Sequence, residues 1–263
     1  MRITVLGKSP AWQDAGGACS GYLIEDQSTC VLLECGNGVF AKLRRARDYT
    51  RIDAIVISHM HADHFFDLIP YAFALVYAPR QQPVPVARWS GTDQPARPKL
   101  FLPPGGLAVI KSTTAAIGVD DVIERAFDVT EYDPDEPLRI GSLDLDFQPV
   151  PHYVKTWAIA FRDAAGNRFV FGADCRPNDE LIGFARGCDL AMFESTLPRP
   201  ERTGVRGHMT PQEAGDHANR ADAHNLVITH ISDELDQLWA KGEAEDAFGG
   251  PVAVASEGSV FIV

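Results

Sequence analysis

Three histidines and an aspartate lie within six residues, in the run His-Met-His-Ala-Asp-His at 59–64. The run follows a short apolar stretch typical of a buried strand, so all four side chains are predicted at one strand end. Four nitrogen and oxygen ligands in one loop exceed what a single open catalytic zinc site takes from a loop. The spacing therefore predicts two metal ions side by side, one held by His59 and His61 and the other by Asp63 and His64.

The length and charge of the chain limit its folds and partners. With 263 residues, 45% of them hydrophobic, the chain can bury a large core, so we expect residues 1–263 to form a single domain. The formal net charge of −12 opposes binding to the phosphate backbone of long nucleic acids, which disfavours them as substrates. A small phosphate ester remains compatible with this charge, because a bound dication can hold it.

Targeting and redox signals favour a cytoplasmic protein. No stretch approaches the ~20 apolar residues of a membrane span, and the N-terminus lacks the apolar segment of a signal peptide. The five cysteines are dispersed and contain no C-x-x-C pair: Cys19, Cys30, Cys35, Cys175 and Cys188. This odd, dispersed set predicts reduced thiols, and we expect no association with a membrane.

Strand and helix patterns recur in two comparable halves. Strands are expected over 2–6, 21–25, 29–34, 53–57, 98–102, 142–150, 156–162, 168–173, 189–194, 225–229, 252–255 and 259–263. Helices are expected after 36–38, over 65–78, after 103–106, and over 178–186, 210–222 and 233–246, with 79–97 as an exposed connection. This order permits two mixed sheets packed face to face, although composition alone leaves a doubly wound sheet open.

Three further candidate metal ligands follow predicted strands. His152 follows the strand at 142–150, Asp174 follows the apolar part of the one at 168–173, and His230 follows the one at 225–229. A single histidine after a strand is usually a hydrogen-bonded surface residue. Five histidines and two carboxylates at matching strand ends instead favour one shared metal site.

The spacing His-x-His-x-Asp-His, followed by His152, Asp174 and His230, resembles the ligand pattern of the metallo-β-lactamase fold superfamily. The resemblance runs across nearly the whole chain, beginning at the first predicted strand. It implies an α+β fold, a four-layer αβ/βα sandwich in which two mixed β-sheets pack face to face with helices outside. The metals of that superfamily lie in the cleft between the sheets.

The resemblance also implies how the ligands divide between two divalent metal ions. The sets are His59, His61, His152 and Asp174 on the first, and Asp63, His64, Asp174 and His230 on the second. Asp174 therefore bridges, since a carboxylate has two oxygens. Zn²⁺ is the expected metal, with Mn²⁺ or Fe²⁺ as alternatives. Glu34 and Cys175 replace the Asp and Thr that are common in relatives, and both are expected to contact ligands, a thiol ligand at Cys175 being the less favoured alternative.

The segment after 190 resembles one branch of the superfamily. Phe-Glu-Ser-Thr at 193–196 and Gly-His-Met-Thr-Pro at 207–211 look like the ribonuclease Z and cyclic-nucleotide phosphodiesterase branch, in which a Glu–His pair lies beside the metals. The resemblance implies that this pair is Glu194 and His208 in the present sequence, and that His208 protonates the leaving oxygen or binds the phosphate. Asp63 joins them as a catalytic side chain.

Other polar residues of this region have structural explanations. Thr210 and Glu213 predict a helix capping box, in which case the preceding histidine merely leads into the helix. Thr196 is expected to support the ligands, because metal chemistry makes a hydroxyl nucleophile unnecessary. His217 and His224 are expected at the surface.

Aromatic side chains near the predicted ligands are candidates for stacking on a nucleobase. They are Phe65, Phe66, Tyr71, Tyr153 and Trp157. Core or helix packing is the favoured explanation for each, so none is assigned to the site.

The chain shows no basic, Gly-rich insertion like the tRNA-gripping arm of ribonuclease Z. The resemblance therefore implies a small, arm-less bacterial member that hydrolyses small phosphodiesters such as cyclic nucleotides, by attack of a metal-bridging hydroxide. The alternatives are a lactonase or other carboxyl-ester hydrolase, a ribonuclease Z-like RNA 3′-processing endonuclease, and a non-enzymatic metal-binding protein. A homodimer, as in relatives of this branch, is a further expectation.

Overall fold

The computed structural model describes all residues from 1 to 263. Its strands, in chain order, are β1 (Arg2–Gly7), β2 (Gly21–Asp26), β3 (Thr29–Leu33), β4 (Ala54–Val56), β5 (Lys99–Leu102), β6 (Asp128–Glu131), β7 (Leu138–Ile140), β8 (Leu143–Val150), β9 (Thr156–Arg162), β10 (Arg168–Phe171), β11 (Leu190–Glu194), β12 (Leu226–Thr229), β13 (Val252–Val254) and β14 (Val260–Ile262). The helices are α1 (Val39–Ala46), α2 (Ala62–Phe65), α3 (Leu68–Tyr77), α4 (Gly106–Ala116), α5 (Val122–Ala126), α6 (Asp179–Ala185), α7 (Pro211–Arg220) and α8 (Gln237–Phe248).

The strands form two seven-stranded sheets. The first has the order β14-β1-β2-β3-β4-β5-β6 and the second β13-β12-β11-β10-β9-β8-β7. Each sheet is mixed: β1 to β3 and β7 to β10 pair antiparallel, whereas β3 to β6 and β10 to β13 pair parallel. The parallel strands carry their C-terminal ends to the same edge of each sheet.

Successive side chains along a strand point to opposite faces of its sheet, one toward the other sheet and one toward the helices. In β2, Tyr22 and Ile24 belong to a buried cluster that contains residues of both sheets, whereas Leu23 belongs to the cluster under the first set of helices. In β12, Val227 joins the inter-sheet cluster and Ile228 packs toward α6, α7 and α8. Because both faces of these strands are buried, their apolar residues are consecutive, at 22–24 in β2 and 226–228 in β12.

The helices cover the two outer faces. Apolar residues of α1 to α5 pack on the first sheet, and those of α6, α7 and α8 pack on the second. The predicted four-layer α+β sandwich of two mixed sheets with helices outside is therefore confirmed. No helix has the length and apolar character that crossing a membrane requires.

The boundaries differ from the sequence prediction in a few places. The expected helix 65–78 is α3, which begins at Leu68, and Pro70 fits its first turn, where the missing amide hydrogen costs nothing. The short α2 before it was not predicted. Helix α5 and strands β6 and β7 were not predicted. The sequence does not predict these two strands because β6 is mostly exposed and β7 has only three residues, so neither shows a clear alternation of apolar and polar residues.

Candidate metal centre

The seven predicted metal ligands meet at the edge where the strands of both sheets end. They lie after β4 (His59, His61), in α2 (Asp63, His64), after β8 (His152), after β10 (Asp174) and after β12 (His230). Three residues at these strand ends, Glu34, Ala173 and His230, have φ angles of 61°, 52° and 52°. Such left-handed backbone is unfavourable for residues other than glycine, and it concentrates at functional sites.

His59, His61 and His152 form the first group of ligand atoms. The Nδ1 atom of His61 lies 3.2 Å from His59 Nε2 and 3.0 Å from His152 Nε2. Two nitrogens bound to one tetrahedral zinc, each ~2.1 Å from it, lie ~3.4 Å apart. Burial lowers the pKa of His59 and lowers that of His152 to about 4, so both rings are neutral near pH 7 and keep a lone pair for a metal.

Asp63, His64, Asp174 and His230 form the second group. His230 Nε2 lies 3.1 Å from Asp63 Oδ2 and 3.3 Å from Asp174 Oδ2. His64 Nε2 also lies 3.3 Å from Asp174 Oδ2, yet this buried nitrogen has no partner with hydrogen-bonding geometry. Burial lowers the pKa of His64, but the charges of Asp174 and Asp63 outweigh burial and raise it well above its ordinary value, so this corner attracts a cation.

Asp174 lies between the two groups. Its Oδ2 atom is 4.0 Å from His59 Nε2 and 3.9 Å from His152 Nε2, in addition to its contacts with the second group. The side chain is buried, and although burial opposes ionisation, the imidazoles of His230 and His64 hold the pKa of its carboxyl well below the usual range. Asp174 thus stands where the bridging carboxylate of two metals is expected.

The second nitrogen of four of these histidines contacts a polar group outside the cluster. The Nδ1 pairs are His59 with Ser58 Oγ (3.0 Å), His64 with Glu34 Oε2 (3.2 Å), His152 with Gly207 O (2.8 Å) and His230 with Thr196 Oγ1 (2.7 Å). Metal-binding histidines are oriented in this way, with one nitrogen fixed by the protein and the other left for the ion. The donor set therefore fits two divalent cations. Glu34 contacts the candidate ligand His64, as predicted.

Buried Glu194 and partly buried His208 form a hydrogen-bonded pair at the side of the cluster. His208 Nδ1 donates to Glu194 Oε1 over 2.9 Å, and the His208 ring centroid lies 5.0 Å from that of His152 and 5.6 Å from that of His230. Burial lowers the pKa of His208, but the carboxylates of Glu194 and Asp174 outweigh burial and raise it to about 9. His208 is therefore a cation near pH 7, able to donate a proton.

The capping explanation for this segment holds as well. Thr210 and Glu213 form a complete capping box at the start of α7, two residues after His208. Glu194 is fixed too, because its carboxylate accepts hydrogen bonds from the Cys175 amide (3.0 Å) and the Thr196 hydroxyl (2.6 Å). The cap and these contacts position the Glu–His pair and do not compete with it.

A cleft of about 350 Å³ opens onto the cluster. Four of the seven candidate ligands line it, namely His61, Asp63, Asp174 and His230. The other walls are His208, Thr196, Ala62, Tyr153 and the loop 10–12. Sequence reasoning missed the loop 10–12, because it has no polar ligand and lies far from the histidines in the chain. It also favoured core packing for Tyr153, which is wrong, since this side chain is 47% exposed.

Two other predictions concern residues outside the cluster. His217 is not at the surface but buried: its Nδ1 donates to Glu213 O (2.8 Å) and its Nε2 accepts from the Asn178 amide (2.9 Å), which ties the start of α6 to α7. His224 is exposed, as predicted. Cys175 is buried with its sulfur near Gly172 O, outside all groups of candidate ligand atoms.

The chain matches a known family along most of its length. Residues 29–231 match the family model described as a beta-lactamase superfamily domain. This span exceeds half of the 263 residues, so the chain belongs to the metallo-β-lactamase fold superfamily, as predicted.

Individual relatives cover nearly the whole chain. The chain is 29% identical to the probable metallo-hydrolase YhfI of Bacillus subtilis, over 99% of either length. It is 28% identical to a ribonuclease Z of Myxococcus xanthus, over 98% of the chain and 96% of the relative.

Solved structures agree with the fold. The crystal structure of YhfI from Bacillus subtilis matches with a TM-score of 0.85 and 26% identity, covering 99% of the chain and 98% of YhfI. The structure of unliganded yeast PDE1 matches with a TM-score of 0.72, over 100% of the chain and 99% of PDE1. At 13% identity, the likeness to PDE1 is one of fold alone.

Proposed function

We propose that this chain is a dinuclear metal-dependent hydrolase that cleaves small phosphodiesters, with cyclic nucleotides as the sharpest candidates. The observation that carries the proposal is the pair Glu194 and His208, joined over 2.9 Å at the side of the candidate metal ligands. A carboxyl-ester or lactone hydrolase has less need of such a group, because hydroxide attack on a neutral ester builds one negative charge, whereas attack on a phosphodiester monoanion builds a second. A cationic donor at this position suits a phosphodiester.

The metal ligands proposed are the two groups described above, with Asp174 shared between them. Zn²⁺ is the proposed ion, and Mn²⁺ or Fe²⁺ fit the same nitrogen and oxygen donors. Two such ions, when bound, supply Lewis acidity toward the phosphoryl oxygens and a water activated as nucleophile at neutral pH. Asp63 contributes a carboxylate to the second group, which is the catalytic role proposed for it.

His208 acts on the departing oxygen. Its Nδ1 is engaged by Glu194, so Nε2 is the nitrogen left for substrate. Because the His208 pKa is raised to about 9, this nitrogen carries a proton near pH 7 and can pass it to a leaving alkoxide. Glu194 keeps the ring oriented and offsets the charge of the imidazolium.

The cleft and the charge of the chain support a small substrate. A volume of about 350 Å³ lies at the lower end of the range for small-molecule sites. The net charge of −12 opposes long nucleic acids. The fold shared with yeast PDE1 is compatible with phosphodiester chemistry.

A ribonuclease Z-like endonuclease is the second candidate, and the 28% identity to a ribonuclease Z favours it. That alignment extends over 296 residues, more than the 263 of the chain, so it contains segments present in only one of the two proteins. The exposed connection 79–97 contains only three basic residues, which disfavours a tRNA-gripping surface there.

Two further proposals concern the whole chain. We treat residues 1–263 as one catalytic domain, since ligands follow strands of both sheets and neither half holds the full set. A cytoplasmic location is supported by five free, buried cysteines.

The test is hydrolysis of bis(p-nitrophenyl) phosphate, an acyl-homoserine lactone and a 3′-extended tRNA precursor by Zn²⁺- and Mn²⁺-loaded protein. We expect turnover of the diester, no opening of the lactone and no cleavage of the RNA. Asp174→Asn, prepared identically, controls for contaminating phosphatases and should be inactive. Lactone opening without diester turnover would refute the proposal, and RNA cleavage without turnover of small diesters would favour the endonuclease.

A further inference from the structure

Two half-exposed aromatic side chains stand in the cleft without a role in the proposed chemistry. Trp12 is 49% exposed and Tyr153 is 47% exposed, and both line the cleft together with His61 and His208. Large aromatic side chains at such a site gain little stability from folding, because half of their surface stays in water. We infer that Trp12 and Tyr153 form two walls that bind the nucleobase of a nucleotide phosphodiester.

Tyr153 is held against one side of the metal-ligand cluster. Its ring centroid lies 4.8 Å from that of His152 and 6.4 Å from that of His61. The phenol donates a hydrogen bond to Glu201, which also accepts from the Gly207 amide over 2.8 Å. A Cβ on Gly207 would lie 2.4 Å from the Tyr153 ring, so the glycine backbone packs directly against the ring and fixes it.

Trp12 is held by the segment that follows His230, and both residues line the cleft. Its Nε1 donates to Ser232 Oγ over 3.1 Å, two residues after His230. The loop that carries Trp12 is tied to the same segment, since Lys8 Nζ donates to Ile231 O over 2.7 Å and the Ile231 amide donates to Lys8 O over 3.0 Å. The two rings are thus anchored independently, each beside a different group of candidate ligands.

This arrangement selects a ligand class. A phosphodiester group bound at the ligand cluster would lie in the same cleft that Trp12 and Tyr153 line, so its nucleoside would be within reach of both rings. A flat base gains stacking energy between such rings, and stacking discriminates little between the bases because every base has a π-face. The inference rests on the proposed phosphodiesterase activity and names its substrate class, a mononucleotide whose base is accepted with little discrimination.

The test compares a substrate with and without a base. Steady-state kinetics are measured on cyclic AMP and on a ribose 3′,5′-cyclic phosphate that lacks the base, for wild type, Trp12→Leu and Tyr153→Leu. Loss of one stacking partner should lower kcat/KM for cyclic AMP by about 5- to 100-fold, mainly through KM. The rate on the abasic substrate should be unchanged.

Matched variants separate stacking from structural damage. Tyr153→Phe keeps the ring but loses the Glu201 hydrogen bond, and we expect it to retain roughly half or more of the wild-type kcat/KM. Trp239→Leu and Tyr77→Leu remove exposed aromatic side chains outside the cleft and should change nothing. As a readout independent of turnover, AMP should quench the tryptophan fluorescence of chelator-treated wild type, and Trp12→Leu should lose this quenching.

The outcomes distinguish the two proposals. Equal losses on both substrates, or no loss on cyclic AMP, would overturn base stacking while leaving the phosphodiesterase in place. If wild type hydrolyses no diester, with or without a base, the phosphodiesterase proposal fails and base stacking fails with it.

Discussion

Replacing His208 by alanine removes the proposed proton donor and leaves every candidate metal ligand in place. We expect His208→Ala to slow the hydrolysis of a diester with an alkoxide leaving group, such as a cyclic nucleotide, by about 10²- to 10⁴-fold. Hydrolysis of bis(p-nitrophenyl) phosphate should fall by less than about 10-fold, because p-nitrophenolate leaves readily without a proton. The difference between the two losses is the diagnostic quantity.

The magnitude follows from the protonation state of the ring. In the metal-free protein the carboxylates of Glu194 and Asp174 raise the pKa of His208 to about 9, and Glu194 stays hydrogen-bonded to the ring when metals bind Asp174, so the protonated donor is favoured near pH 7. The 2.9 Å hydrogen bond to buried Glu194 holds the imidazolium in place, so little reorganisation is needed when the leaving oxygen gains charge. We therefore expect His208 to supply the full rate enhancement of a general acid, about 10²- to 10⁴-fold.

The assay uses metal-loaded protein with metal content measured for each variant. His224→Ala is the matched control, since His224 is an exposed histidine outside the cleft. Added imidazole should restore part of the lost rate on the cyclic nucleotide. Equal losses on both diesters, or a full rate on the cyclic nucleotide, would refute proton donation by His208.

Three further predictions concern metal binding and stability. Glu34→Gln keeps the shape of a fully buried side chain but removes the carboxylate 3.2 Å from His64 Nδ1, so competition with a chelating dye should report a ~10- to 100-fold lower metal affinity. Chelation should lower Tm in calorimetry and Zn²⁺ should restore it, since a ligand at 100 times its Kd adds ~2.7 kcal/mol to native stability. Burial lowers the pKa of His217 in the folded state, so below about pH 6.5 the unfolded chain binds more protons at this side chain. The contribution of His217 to the free energy of unfolding is therefore complete above about pH 6.5 and falls below it, by up to ~1.4 kcal/mol per pH unit. Urea unfolding of wild type and His217→Gln should show a weaker acid dependence in the variant, and identical dependences would contradict this.

The ligand positions could be predicted because each depends on a short local pattern. An apolar run followed within two residues by a histidine or aspartate places that side chain at a strand end, as with His152 and His230. The sequence also encodes the capping box at Thr210 and Glu213 within four residues. Family resemblance then grouped the strand ends, which local pattern alone does not do.

The features that were missed depend on contacts between distant segments. Trp12 enters the cleft only because the loop after β1 is tied to the residues after His230, more than 200 positions away. His217 looked like a surface histidine on an amphipathic helix, but its face is covered by the start of α6. The Gly207 carbonyl that contacts His152 is a backbone group and has no sequence signature.

Four carboxylates are buried around this centre: Glu34, Asp63, Asp174 and Glu194. Buried charges are costly unless they are paired, and the groups that lower the pKa of Asp174 are imidazoles, not lysine or arginine. The pKa values of His64 and His208 are raised, so these two rings supply positive charge, whereas those of His59 and His152 are lowered by burial and these two rings carry none near pH 7. Divalent cations would supply the missing positive charge, so the residues that build the proposed catalytic site also make the fold depend on the metals for part of its stability.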